Sequence, residues 1–369
     1  MIYPDTIKRM VNGTIKHVAK EAGVSTATVT RVLDGYKHVS EGAKIRVELA
    51  LVKTGYNLQR RYKANGNHRK RANNVGFLLL QEDRDLLRLP VFSQLLLALD
   101  QVLAEEKMHL VISHVSEGEP LPATVNSERM DAMLLFGRLT GVESPQWDLF
   151  NPILLFESVA MSRIRFLGWA DCITSDCVMG GRLAANYLLD RGHQRLGYLN
   201  PWPMHGPLKL AGESFQDVVR QSGAEMVTLS PGESHKEELD THDLLNPYRS
   251  WLVVKRMVEG LLALPSGDRP SGLYVANDEV TTLVYRSLAE HGVEAGRDID
   301  IISRDNEEPF LATLSPRPAS VDLNCEEIAR QVVNRILYRL RYPMSPRGLR
   351  VLVPPKLAAG EIEWPSERN

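Results

Sequence analysis

The chain has 369 residues, 43% of them hydrophobic and 24% charged, with a net charge of −2, which is the balance of an ordinary soluble globular protein. That length exceeds one typical core and predicts two or three domains. No apolar run of about 18 residues occurs, which argues against a transmembrane helix, and the first thirty residues lack the apolar stretch of a secretion signal. Cys172, Cys177 and Cys325 match no zinc spacing and are expected to be reduced thiols of a cytoplasmic protein. The near-neutral total conceals an asymmetry. Fifteen of the 44 Lys and Arg, but only five of the 46 Asp and Glu, fall in residues 1–72, so that segment carries +10 and the remainder −12. A basic head on an acidic body suits phosphate binding, because neutralised phosphates release their counterions.

The head reads as three helices. Thr14 is a plausible N-cap for Ile15–Ala22, in which Ile15, Val18, Ala19 and Ala22 recur at i, i+3, i+4 and i+7. Gly23 supplies a left-handed turn, and Val24 can plug it. Ser25 or Thr26 can cap a second helix, Ala27–Leu33, that ends at Asp34-Gly35. A third amphipathic segment spans Glu41 to Thr54, with Ile45, Leu49 and Val52 expected inward and Gly55 as its stop. Two short helices across a glycine turn, braced by a third, make a helix-turn-helix. Its second helix can enter the major groove of duplex DNA. Thr26 and Ala27 are placed to touch base edges, Arg31 to reach a guanine or a phosphate, and Ser25, Thr28 and Ser40, with the backbone near Val39, to hold phosphates. Lys16, Thr30 and Tyr56 complete this expected DNA surface, together with Arg60 and Arg61 in the basic segment that follows.

The run Thr14 to Leu33, with Val39-Ser40 and Gly55-Tyr56 at matching distances, resembles the head of the lactose-repressor (LacI/GalR) family. The resemblance implies a transcriptional regulator, expected to be a repressor, that places two heads of a homodimer on a pseudo-palindromic double-stranded operator. In that family the next stretch forms a hinge helix on DNA, with a leucine wedged into the minor groove. Here Asn65 stands at that leucine's position, Tyr62 at a normally small one, and Gly66-Asn67 disfavour a continued helix. Less kinking and more reliance on Arg60, Arg61 and Lys63 is therefore expected.

From Asn74 onward, short apolar runs alternate with helical segments. The strand runs are Val75–Leu80, His109–His114, Ala132–Phe136, Ile153–Phe156, Arg195–Leu199, Leu273–Ala276 and Ile299–Ile302. The helical segments are Val91–Glu106, Gly180–Asp190, Lys209–Ser222, Val280–His291 and Glu326–Arg341. Such alternation predicts parallel, doubly wound α/β sheets, and the span suggests two lobes with a cleft between them. Asp176 to Ala184, Arg191 to Tyr198, Val275 to Glu279 and Ile301 to Asn306 extend the resemblance over nearly the whole chain. It implies a two-lobed, periplasmic-binding-protein-like body, with Ser303 and Arg304 in place of the usual glycine and aromatic. The expected organisation is a helix-turn-helix domain at 1–57, a basic hinge at 58–73 and an effector-binding and dimerisation domain at 74–369. Its first lobe comprises 74–187 and 321–351, its second 188–320 and 352–369.

The effector implied is a small molecule, a sugar or sugar derivative. Asp176, Asn277 and Asp305 fall where the family places polar groups, Lys209 stands near its usual arginine, and Phe92 would contribute from the first lobe. Tyr248 is the candidate aromatic floor, with Trp251 second. Each has a plainer alternative: Asp176 and Asp278 as helix caps, Tyr248 and Trp251 as packing, His193 as a structural hydrogen-bonding group. Catalysis is not expected, because the chain carries no phosphate loop, nucleophile elbow or zinc-protease motif, and no cofactor, metal or membrane partner is implied. Two rivals remain open: a regulator governed by a protein partner or by nothing, and a sugar-binding protein sharing the two-lobed body.

Overall fold

The computed structural model describes residues 14–33, 39–54, 72–81, 84–116, 119, 121–122, 125, 129–137, 152–155, 170–203, 205–229, 247–342 and 348–364. The chain divides into an N-terminal head and a larger body, and each is taken by itself.

The head holds α1 (Ile15–Ala22), α2 (Thr26–Leu33) and α3 (Glu41–Thr54). A capping box starts α1: the Thr14 hydroxyl accepts the His17 amide at 3.3 Å, and the His17 ring accepts the Thr14 amide at 3.3 Å. Gly23 ends it at φ +63°, so that the Val24 amide donates back to the Ala19 carbonyl at 3.0 Å. Val18, Ala19, Ala22, Val29, Val47 and Ala50 form the small core, with Val24 packed against it. In α3, Leu49 departs from the expectation of an inward position, while the side chains of Ile45 and Val52 lie outside the described residues. Ala43, Val47 and Ala50 are buried, whereas Leu49 is 66% exposed. Small residues face inward because the three helices approach closely, and the bulkier Leu49 is left outside.

The body is built on two six-stranded sheets. The first comprises β1 (Asn74–Leu80), β2 (His109–Val115), β3 (Ala132–Gly137), β4 (Pro152–Leu155), β5 (Asp171–Ser175) and β11 (Arg350–Val353), ordered β11-β5-β4-β3-β1-β2. Every pairing in it is parallel. Strand alternation divides its core. Val75, Phe77 and Leu79 meet α4 (Pro90–Glu105) and α10 (Cys325–Arg341) on one face. Leu78 and Leu80 pack with Met133 and Leu135 on the other.

The second sheet runs β12-β10-β9-β8-β6-β7, from β6 (Arg195–Leu199), β7 (Glu225–Thr228), β8 (Gly272–Val275), β9 (Asp300–Arg304), β10 (Ala319–Asp322) and β12 (Lys356–Ala358). Only β12 runs antiparallel to its neighbour. It is covered by α5 (Cys177–Asp190), α6 (Gly206–Ser222), α7 (Pro247–Ala263) and α8 (Asp278–Glu290), and a one-turn α9 (Glu308–Leu311) follows β9.

The chain crosses between sheets after Ser175, after Asp322 and after Val353. The first crossing corrects the expected lobe boundary at 187. Ala184, Ala185 and Leu188 of α5 lie in the second sheet's core, so the whole helix belongs there, and β10 joins the same sheet instead of opening the return segment. Pairwise closeness explains the placement. A Cβ on Gly181 would stand 2.1 Å from the Ala211 carbonyl oxygen of α6. His193 is a framework residue, as its plainer reading held. Its ring bonds Ser271 Oγ at 2.8 Å and Asp300 at 3.0 Å, and Arg191 reaches the same carboxylate at 2.6 Å.

Candidate DNA-reading head and interlobe cleft

In the head, caps decide which side chains are free to read a ligand. Ser25, not Thr26, caps α2: its hydroxyl accepts the Thr28 amide at 3.0 Å and lies 2.9 Å from Thr28 Oγ1. Thr26 and Ala27 are thereby left exposed on the first helical turn, and Arg31 is exposed one turn later, with Thr30 half-buried. Lys16 on α1 and Ser40 before α3 are also exposed, and Val39 is half-buried. Ser40 starts α3 by accepting the Ala43 and Lys44 amides at 2.9 and 3.1 Å on its carbonyl. One contact escaped sequence reading: Arg46 Nε donates to the Ala22 carbonyl at 3.3 Å, placing a cation at the C-terminus of α1 where the helix dipole favours it. Tyr56, Arg60 and Arg61, and the hinge positions Tyr62 and Asn65, lie outside the described residues.

In the body, the six expected effector residues fare unequally. Asp176 is the N-cap of α5, its Oδ1 accepting the Met179 amide at 3.0 Å. Asn277 caps α8 through the Val280 amide at 2.9 Å, the role that the plainer reading gave to its neighbour Asp278. Asp278 is instead fully buried, its carboxylate accepting the Glu307 amide at 2.6 Å and the Ser320 hydroxyl at 3.1 Å. Lys209 sits on the solvent face of α6 with its side chain 55% exposed, 3.8 Å from Glu213. Phe92 is buried and meets Phe136 edge-on at 4.8 Å. Tyr248 begins α7, but its side chain lies outside the described residues. Trp251 lies beneath Arg286 at 4.2 Å and Lys255 at 5.6 Å, a cation–π stack that occupies its face.

Asp305 is buried beside Arg304, 3.7 Å from its guanidinium, and Asp305 Oδ1 has no hydrogen-bond partner. The Arg304 charge acts on groups that sequence reading did not assign to the site, Tyr274 on β8 and His205 after β6, and the His205 amide donates to the Trp202 carbonyl at 3.0 Å. Arg304 ends β9 at the carboxyl edge of the sheet, where ligands of open α/β folds bind.

The two lobes meet at Glu307. Its carboxylate accepts the Val91 amide at the N-terminus of α4 at 2.7 Å, and Gln94 donates to the Asn306 carbonyl at 3.2 Å. Burial, reinforced by Asp305 and Asp278, pushes Glu307 up to about 9, and burial with Asp305 pushes Asp278 up to about 7. Folding therefore binds protons that the unfolded chain has already released. Stability contributed by these groups is full below the ordinary carboxyl range and falls as pH rises from about 4.5 toward 9. The body is expected to unfold at lower temperature at pH 8.5 than at pH 6, and Glu307→Gln, which keeps the acceptor without titrating, should flatten that slope. An unfolding midpoint that rises over the same interval would contradict this account of Glu307.

A capped helix-turn-helix in a basic segment and a two-lobed α/β body define a DNA-binding transcriptional regulator. Residues 14–58 match the model of bacterial regulatory proteins of the lacI family, and residues 185–361 match the periplasmic binding protein-like domain. The ribose operon repressor of Escherichia coli (strain K12) is 25% identical over 338 residues, covering 89% of this chain and 94% of that protein. Among solved structures, a lac repressor dimer bound to operator and the anti-inducer ONPF aligns at TM-score 0.59 and 18% identity, over 95% of this chain and 99% of that one. A LacI-family regulator from Enterococcus faecalis V583 with bound ribose aligns at TM-score 0.55 and 18% identity, over 78% and 97%. The chain thus resembles lacI-family regulators in its head and periplasmic binding protein-like domains in its body.

Proposed function

We propose that the protein is a homodimeric, cytoplasmic repressor that reads a pseudo-palindromic operator through α2 and is controlled by a small sugar-like effector bound between the lobes of its body. The observation that carries the first half is the cap of α2. Ser25 holds the first turn, which leaves Thr26, Ala27 and Arg31 exposed together on a segment of charge +10. Thr26 and Ala27 are suited to base-edge contact, Arg31 to a guanine, and Lys16, Ser25, Thr28, Thr30, Val39 and Ser40 to phosphates that set register. The printed names of the relatives support the reading: a ribose operon repressor, a lac repressor dimer on operator and a regulator with bound ribose.

The second half rests on the body. Asp305 follows β9 with an oxygen that has no hydrogen-bond partner, and the Glu307–Val91 bond joins the lobes beside it. An effector that changes how the lobes meet at that bond would change the spacing of the heads, a coupling of two sites through one bistable interface. Arg31→Ala tests the DNA surface. If Arg31 reads a base, operator affinity measured by fluorescence anisotropy should fall by about 1–3 kcal/mol and discrimination at one base pair should relax. Unchanged operator affinity would remove Arg31 from the interface.

A further inference from the structure

We infer that the cleft of the body takes an anionic, polyhydroxylated small molecule, whose charged group pairs with Arg304 while a hydroxyl donates to Asp305. The inference rests on the reading of the body as an effector-binding domain and deepens it.

Arg304 is an incompletely satisfied cation. The Arg304 side chain is only 7% exposed, yet the nearest carboxylate oxygen stands 3.7 Å away, and the recorded hydrogen bond of its guanidinium goes to Cys177 Sγ at 3.6 Å. A guanidinium presents five N–H groups in one plane and has no acceptor. Such a group is rarely buried without a close anion, because its hydration is lost and little replaces it.

The surroundings hold polar groups without hydrogen-bond partners. Trp202 Nε1, Tyr274 Oη, His205 Nδ1 and Ser175 Oγ are all buried without a hydrogen-bond partner, and the one unpartnered carboxylate oxygen beside them is Asp305 Oδ1. The groups belong to one neighbourhood. The Arg304 charge acts on both Tyr274 and His205. The His205 amide donates to the Trp202 carbonyl at 3.0 Å, and Cys177 Sγ lies 3.6 Å from the Ser175 carbonyl. All lie at or just beyond the carboxyl ends of β5, β6, β8 and β9. Burial, and then Arg304, hold His205 down to about 4, so its imidazole is neutral and Arg304 supplies the positive charge.

A sugar hydroxyl brings one donor hydrogen and two acceptor lone pairs, but a neutral sugar brings no charge to set against Arg304. A carboxylate or phosphate only accepts. Its oxygens match the guanidinium fork, leaving Asp305 for a hydroxyl.

The test compares matched pairs on the full-length protein by titration calorimetry: D-gluconate against D-glucose, D-galacturonate against D-galactose, and ribose 5-phosphate against D-ribose. Sulfate and acetate at equal ionic strength serve as controls. At least one charged member should bind ten-fold or more tightly than its neutral parent, and whether it is a carboxylate or the phosphate identifies the anion. Arg304→Gln should abolish that preference and Arg304→Lys retain part of it. Should a variant fail to fold, the ratio in the native protein still decides. Equal or tighter binding of the neutral parents rejects the charge assignment and leaves the regulator reading intact, and so does stabilisation by sulfate alone that matches the charged sugars. Silence from every compound, with operator binding preserved, rejects this inference and the small-molecule half of the function together.

Discussion

Asp171→Ala should destabilise the body by about 3–5 kcal/mol, the usual result of removing one partner of a buried ion pair. The carboxylate is 1% exposed and carries four interactions. Arg335 reaches it at 2.7 and 3.1 Å, Arg339 at 2.8 Å, and the Leu349 amide at 2.9 Å. Through them β5 is tied to α10 and to the start of β11, so one side chain joins the two segments of the first lobe that are most distant in sequence. Burial raises the pKa of Asp171, but Arg335, the Leu349 amide and Arg339 outweigh it and hold the group below its ordinary value. The associated stability is accordingly present above the ordinary aspartate range and lost as pH falls through it. Removing the carboxylate takes an anion from Arg339, which is 2% exposed. A drop in unfolding midpoint on the order of 10 °C is expected, with Asp171→Asn less damaging because it keeps an acceptor. A loss below about 1 kcal/mol would mean that the pair is solvated.

The second large effect belongs to Gly181. The missing Cβ would lie 2.1 Å from the Ala211 carbonyl oxygen and 3.0 Å from the Phe215 nitrogen. Both are backbone atoms of α6 and cannot rotate aside, so α5 and α6 must separate, with loss of packing around Ala184, Ala211 and Phe215. Gly181→Ala is expected to cost about 2–3 kcal/mol by overpacking, despite alanine's better helix propensity. Its neighbour is the control. A Cβ at Gly180 meets Val321 at 3.4 Å, an ordinary contact, so Gly180→Ala should be neutral or mildly stabilising. Equal effects at the two positions in chemical denaturation would contradict the helix–helix contact described.

These two sites mark how far the sequence could be read. The head was legible nearly to the residue, because its caps, glycine turn and i, i+3, i+4 pattern are local signals. The exception, Leu49 on α3, arose because hydrophobicity favours it for the core, whereas the close approach of the helices selects Ala43 and Ala50. In the body, the sequence pattern marks seven strands with apolar runs but not β5, β7, β10, β11 or β12. All five are short, β5 (Asp-Cys-Ile-Thr-Ser) and β10 (Ala-Ser-Val-Asp) are also half polar, and their strand character comes from neighbours in the sheet. The pattern of α5 showed an apolar face without showing which sheet it covers.

The cleft was the least legible part. Asp176 and Asn277 carried polar side chains at suggestive positions, yet both are spent on helix caps. The departure at Arg304 was visible as an unexpected charge at a strand end. The groups its charge acts on, Tyr274 and His205, come from a strand and a loop far apart in sequence, and no spacing rule connects them. Glu307 was likewise silent, since only the fold sets a glutamate against the amide of Val91.

The most direct trial of the account is selection of bound duplexes from a random pool by the full-length protein at low salt, repeated with the charged and neutral sugars present. Enrichment of a two-fold related sequence, lost on Arg31→Ala and altered by an effector, is the predicted outcome. A pool that stays as random as it began, with and without those compounds, would contradict a head built to read base pairs through Thr26, Ala27 and Arg31.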